Sequence, residues 1–207
     1  MKTMKVTLFF ALGCLVAFSG CVTKREKTIQ NIKLGIETET TASVKYAAFA
    51  QKARVEGHDT IAKLFDAASV AEAIHSSNHA TVLKTFKADM DKFKPKFSVS
   101  STLDNLQESL VGETFEVNVM YPMFLKDAKS KKIKKATIES LAWALETELK
   151  HVSMFKKALE ALNTKTEGKL PYHYFVCPVC GDTFDDLSKV ENCDLCGTSK
   201  ELFLDIK

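Results

Sequence analysis

The sequence predicts a mainly α protein: a four-helix bundle with one long crossover, followed by a small domain built around four cysteines. Three observations carry this. Two Glu-x-x-His pairs, Glu72–His75 and Glu148–His151, sit on apolar stripes of helical period. A Pro- and Ser-bearing stretch, residues 89–102, interrupts the pattern midway. Two Cys-x-x-Cys-Gly turns then follow the last helical segment.

Residues 1–20 read as an address. Lys2 and Lys5 form a basic start, and Val6 to Ala17 is an apolar run too short to cross a bilayer comfortably. Phe18-Ser19-Gly20-Cys21 then resembles a bacterial lipoprotein signal, with Phe18 where Leu is usual. That resemblance implies cleavage before Cys21 and lipidation of its sulfur, the chain's only expected attachment to a membrane. An ordinary secretory signal would leave Cys21 without a role, and either reading exports the mature chain. Removing residues 1–20 takes two lysines and no acids, leaving 27 basic and 26 acidic side chains, a net of +1. Such a balance gives no reason to expect nucleic acid as a partner.

The first helix is predicted over residues 28–56, with Ile32, Gly35, Ala42, Tyr46, Phe49 and Ala53 on one face and Glu39 in its middle. Glu37 points elsewhere and is expected to be solvated. Gly57 suits a left-handed cap, and Asp59 is placed to cap the next helix. That second helix, about Thr60 to Ala88, carries Ile61, Leu64, Phe65, Ala68, Glu72, His75, His79 and Val82 inward. His79 reads as a hydrogen-bonded core histidine and His58 as a loop residue. Residues 89–102, with Pro95, form the crossover, the connection that joins the halves of a ferritin-like bundle. The third helix starts near Leu103 and aligns Leu106, Leu110, Glu113, Glu116, Val117, Met120 and Phe124, with a bend expected at Pro122. Lys126–Lys135 is a basic, exposed turn. The fourth helix, about Ala136 to Leu162, lines up Ile138, Leu141, Leu145, Glu148, Val152, Phe155 and Leu159, with His151 at the stripe's edge. The bundle is thus assigned to residues 27–163, a linker containing Gly168 and Pro171 to 164–171, and the small domain to 172–207.

Glu39, Glu72, Glu113, Glu116 and Glu148 would bring five carboxylates, with His75 and His151, to one level of the bundle. Each buried, unpaired carboxylate costs several kcal/mol. Two metal ions would neutralise most of that charge, and oxygen donors with imidazole suit iron or manganese. Tyr46, seven residues after Glu39, and Tyr121, eight after Glu113, can face the site and bond ligand carboxylates. Cys177-Pro-Val-Cys180-Gly and Cys193-Asp-Leu-Cys196-Gly present four thiolates to one ion. Spacing leaves zinc and iron open there. Iron is favoured by an aromatic jacket from Tyr174, Pro178, Phe184 and Phe203, and by the need of a redox centre for an electron source.

On these segments the chain resembles the rubrerythrin family: NIKLGIETETTASVKYAAFAQKARVEG, IAKLFDAASVAEAIHSSNH, GETFEVNVMYPMF, ETELKHVSMFKKAL and YFVCPVCG…CDLCG. The resemblance spans about Thr28 to Lys207 and implies a ferritin-like di-iron bundle with a rubredoxin-like domain. It implies that Glu39, Glu72, Glu113, Glu116, Glu148 and His151 hold two irons, with manganese or a mixed pair as the alternative filling. Glu72 and Glu148 would bridge, and His75 would replace Glu116 on one iron upon reduction. It further implies a peroxidase reducing hydrogen peroxide to water, with Tyr46, Tyr121 and His75 in catalytic roles and iron at Cys177, Cys180, Cys193 and Cys196 returning electrons. Because the linker would hold the two sites of one chain apart, a head-to-tail homodimer is expected. Export departs from the mostly cytoplasmic family and leaves the donor protein unidentified. Lys129-Ser130-Lys131-Lys132 also departs, standing where acidic residues and glycine are usual. The competing expectation is a ferritin-like iron binder or ferroxidase with a structural zinc ribbon.

Overall fold

The computed structural model describes residues 22–129 and 133–207. The signal segment, Cys21 and residues 130–132 of the basic turn lie outside the described residues. The chain forms α1 (Lys24–Val55), α2 (Asp59–Thr85), α3 (Thr102–Phe115), a π-helical turn (Glu116–Met120), α4 (Tyr121–Ala128) and α5 (Lys135–Thr164), then strands β1 (Tyr174–Val176), β2 (Thr183–Phe184) and β3 (Leu204–Ile206).

Helix α1 begins four residues earlier than the periodicity suggests. Thr23 caps it, accepting from the Glu26 amide, while the Glu26 carboxylate accepts from the Thr23 amide. Gly57 takes the expected left-handed conformation at φ 84°. Asp59 does not cap α2. His58 occupies the cap position without a side-chain bond, and Asp59 is the first helical residue. The crossover is anchored at its far end: Glu56 accepts from the backbone and hydroxyl of Thr102 at 2.7 and 2.6 Å, tying the start of α3 to the end of α1.

The third predicted helix is broken upstream of Pro122. Pro122 lies in the first turn of α4, where its missing N–H costs least. The preceding turn is π-helical, with the Tyr121 amide donating to the Glu116 carbonyl five residues back. This extra residue has a geometric effect. In a straight α-helix Tyr121 would lie about 80° around the axis from Glu113, and the π turn brings both to the interior. Glu113, Glu116, Met120, Tyr121 and Phe124 are all buried.

Two apolar layers fill the bundle. One contains Tyr46, Phe49, Phe65, Leu106 and Phe155; the other contains Ile32, Val82, Met120, Phe124 and Leu141. On each long helix the acids and histidines fall between residues of the two layers, so the polar side chains form a slab enclosed on both sides.

The small domain is a three-stranded antiparallel sheet in the order β2-β1-β3, with Phe175 opposite Phe184 and Asp205. The expected aromatic jacket is only half right. Phe184 and Phe203 stack 5.0 Å apart beside the cysteines, but Tyr174 packs into the bundle's own core and Pro178 is exposed. The missing wall comes from the bundle: Trp143 of α5 packs on the cysteine cluster and donates to the Leu195 carbonyl at 3.1 Å.

Candidate metal centres

The helices place their acids so that two ligand sets share members. Ligand atoms of Glu39, Glu72, His75 and Glu148 all lie within 4.8 Å of one another, as do those of Glu72, Glu113, Glu148 and His151. Glu72 and Glu148 belong to both sets, the arrangement of two ions bridged by carboxylates. Six of the seven expected residues therefore converge. Glu116 is the exception. It is outside both sets and lines a cleft of about 320 Å³ between α1 and α3, with Glu37, Lys45 and Tyr46. Glu37, expected to be solvated, is half-buried at this cleft.

Both imidazoles turn Nδ1 toward the acids. His75 Nδ1 lies 3.0 Å from Glu72 and 3.0 Å from Glu148. His151 Nδ1 lies 2.8 Å from Glu148 and 3.3 Å from Glu72. Burial pushes the Glu39, Glu113 and Glu116 carboxyls well above their ordinary range, and the neighbouring acids push the same way. Burial opposes charge on His75 as well, but Glu148 and Glu72 outweigh it and hold its pKa up to about 9. His151 is likewise raised, chiefly by Glu148 against the effect of burial. The two imidazoles do not satisfy all of these acids. Glu39 Oε2, Glu72 Oε1, His75 Nε2, Glu113 Oε2 and Glu148 Oε1 are buried without a hydrogen-bond partner. Four of these five orphans are carboxylate oxygens of the two ligand sets, so the residues present fit a pair of metal ions.

Two tyrosines hold ligands from behind. Tyr46 donates to Glu113 at 2.5 Å, and Tyr121 donates to Glu39. His79 is a hydrogen-bonded core histidine, as its position on α2 suggests, with Ser140 at 2.7 Å and Tyr121 at 3.1 Å.

The second centre is the cysteine cluster. All four sulfur atoms lie within 4.8 Å of one another, with Cys177–Cys196 at 3.5 Å and Cys180–Cys193 at 3.4 Å. A tetrahedral ion with metal–sulfur bonds of about 2.3 Å requires sulfur separations of about 3.8 Å. Gly181 and Gly197 take positive φ, 85° and 77°, which closes each knuckle. Hydrogen bonds from the Cys180 thiol and nearby backbone amides hold the Cys177 thiol down to about 4, whereas burial pushes Cys193 up to about 12.

The loop after Cys180 meets the carboxylate centre within one chain, contrary to the separation expected from the linker. Thr183 lies 3.1 Å from His151 Nε2, and Gly181 backs directly onto His75 Nε2. Lys150 of α5 pairs with buried Asp182 at 2.5 Å, and Asn78 of α2 donates to the Val179 carbonyl at 2.8 Å. The loop that follows Cys180 therefore closes over the outer edges of both imidazoles. Sequence reasoning missed Gly181, Asp182, Thr183, Lys150 and Trp143 as parts of this junction. Their signal lies in contacts across 32 or more residues of sequence, which local periodicity cannot register.

Comparison with known proteins gives a consistent result. The family described as Rubrerythrin matches residues 30–159. Rubrerythrin-2 of Clostridium acetobutylicum is 30% identical over 181 residues, covering 87% of this chain and 97% of that protein. Nigerythrin of Nitratidesulfovibrio vulgaris is 30% identical over 179 residues, 85% of each chain. A solved structure of mixed-valent nigerythrin superimposes with a TM-score of 0.75 at 28% identity, covering 86% of each chain. A Rhodobacter capsulatus bacterioferritin, with a TM-score of 0.60 at 16% identity and covering 67% of this chain and 86% of that one, shares the bundle fold alone.

Proposed function

This chain belongs to the rubrerythrin family, and from that premise we propose that it reduces hydrogen peroxide to water at the carboxylate centre and is recharged through the four-cysteine site. The observation that carries this is the junction: the outer edges of His75 and His151 rest on the loop immediately after Cys180. A binder that only stored iron would gain nothing from a cysteine site whose loop rests on its ligand imidazoles.

Each peroxide takes up two electrons and two protons to give two waters. Iron, when bound at the two ligand sets and at the cysteines, supplies those electrons. The protein's own residues do the rest. Lys45 and Glu116 line the cleft through which a small polar substrate reaches the slab. Tyr46 and Tyr121 hold Glu113 and Glu39 in place and keep hydroxyl protons close to where peroxide oxygens would lie. With His75 inside the first ligand set and Glu116 outside it, the arrangement matches the exchange of these two residues that the family resemblance implies. The apolar layers above and below exclude bulk water from the slab.

We also read the chain as exported and anchored through lipid on Cys21, from its basic start, its short apolar run and the small residues before that cysteine. The head-to-tail homodimer that the family resemblance implies stays our expected assembly, although within one chain the loop after Cys180 already meets His75 and His151.

Stopped-flow oxidation of the fully reduced protein tests the function. The peroxidase account expects iron–thiolate absorption, bleached by reduction, to return on mixing with stoichiometric peroxide, faster than with dioxygen. Colourless protein with zinc at the cysteines, or faster reoxidation by dioxygen, would establish the binder or oxidase instead.

A further inference from the structure

The two tyrosines that hold metal-ligand carboxylates are not equivalent. Tyr46 sits among Phe49, Phe65 and Phe155, and Glu113 is the hydrogen-bond partner of its hydroxyl among the described residues. The Tyr121 hydroxyl, by contrast, is backed by a chain of buried polar groups. His79 Nε2 lies 3.1 Å from it, and His79 Nδ1 lies 2.7 Å from Ser140 Oγ. His79 is completely buried and Ser140 almost so.

The direction of the donors follows from chemistry. As a metal ligand Glu39 is a carboxylate and only accepts, so Tyr121 must donate to it. The Tyr121 oxygen then accepts from Nε2–H, which leaves Nδ1 unprotonated and accepting from the Ser140 hydroxyl. Every proton in the series Ser140, His79, Tyr121, Glu39 points toward the metal. Burial holds His79 down to about 3, with nearby His75 adding to the effect, so the ring stays neutral and keeps one tautomer. The backbone makes room for this ring. A Cβ at Gly35 of α1 would meet His79 Cδ2 at 3.0 Å, so the site is built around the imidazole from both sides.

We propose that Ser140 and His79 are positioning residues for the metal pair, locking the Tyr121 hydroxyl onto Glu39 so that the Glu39–His75 position binds its ion more tightly than the Glu113–His151 position. Partners behind ligating groups fix their orientation, and losing such a partner costs 10–100-fold in metal affinity in other proteins. The proposal concerns metal binding and stands whether or not peroxide is the substrate.

Titration of the metal-free full chain with Co²⁺ tests it, since thiolate charge-transfer bands report the cysteine site separately from the carboxylate sites. Two carboxylate steps of unequal affinity are expected. In His79→Leu the tighter step weakens by about 10–100-fold while the weaker step and the cysteine site hold. His79→Gln, which can still donate to Tyr121, recovers most of that loss, and Ser140→Ala loses part of it. In zinc-loaded, ¹⁵N-labelled full chain the His79 ring is expected as the Nε2–H tautomer. Equal weakening of both steps, an unchanged tighter step in Ser140→Ala, a His79→Gln loss as large as any expected of His79→Leu, or an Nδ1–H ring would overturn the proposal. Should His79→Leu fail to fold, the other two variants and the tautomer decide it.

Discussion

Gly181→Ala should separate docking from knuckle folding. A Cβ at Gly181 would sit 2.6 Å from His75 Nε2, 2.7 Å from Cδ2 of the same ring and 3.1 Å from the Ala71 carbonyl. Restoring ordinary contact of about 3.4 Å requires the loop to withdraw by roughly 0.8 Å, because His75 is held by its own acids and cannot yield. Withdrawal strains the Thr183–His151 and Asn78–Val179 bonds, each worth about 0.5–1.5 kcal/mol. Alanine at φ 85° adds backbone strain of about 1–2 kcal/mol. Gly197→Ala is the matched control: its φ is 77° and nothing lies within 4 Å of the added carbon. The two variants therefore share the backbone cost and differ by the docking cost, about 1–3 kcal/mol. Thermal melts should show Gly181→Ala less stable than Gly197→Ala by that margin. Fluorescence of Trp143, the chain's one tryptophan, should shift in Gly181→Ala alone as the cysteine domain moves off α5. Return of electrons from the cysteine iron after a peroxide pulse should slow in Gly181→Ala and hold near wild type in Gly197→Ala. Identical behaviour of the two variants would refute the docking geometry.

Other consequences can be checked alongside. Glu56 is held down to about 2, first by its bond from Thr102 and then by Lys52, so its contribution is present above its unfolded value and fades as pH falls through about 2. Glu56→Gln should cost about 1 kcal/mol near neutral pH, with the difference from wild type vanishing in strong acid in paired denaturant melts. Metal-free protein should lose stability as pH rises from 6.5 to about 9, because over that window the folded His75 and His151 rings hold protons that the unfolded rings shed. Metal-loaded protein should show no such decline over that window, a contrast that chelator treatment and thermal melts can reveal. Cys21→Ser should abolish incorporation of labelled fatty acid, and continued labelling would remove the lipid anchor from the account.

The slab was legible in the sequence because a buried acid at helical spacing is costly enough to stand out from its neighbours. Glu39, Glu72, Glu148 and both histidines needed only a straight helix to be placed. Tyr121 stands out by its distance from Glu113, yet a straight helix would turn it aside; the π turn that corrects it leaves a trace only in Pro122. Thr23 and Glu26 form a capping pair that lies ahead of the apolar stripe, so the periodicity alone puts the start of α1 too late. The junction was invisible for a different reason. Asp182 with Lys150, Thr183 with His151 and Gly181 with His75 are made by folding two domains together, and no local pattern encodes them. The expectation of separated centres followed from treating the linker as a spacer, whereas β1 leads straight back onto α2, with Tyr174 and Val176 in the bundle core.

Anomalous diffraction at the iron edge, on crystals of the full chain loaded with iron, tests the central claim most directly. Two peaks should appear in the slab, one among Glu39, Glu72, His75 and Glu148 and one among Glu72, Glu113, Glu148 and His151, with a third among the four cysteines. An empty slab, or iron found only at surface acids outside these two sets, would contradict it.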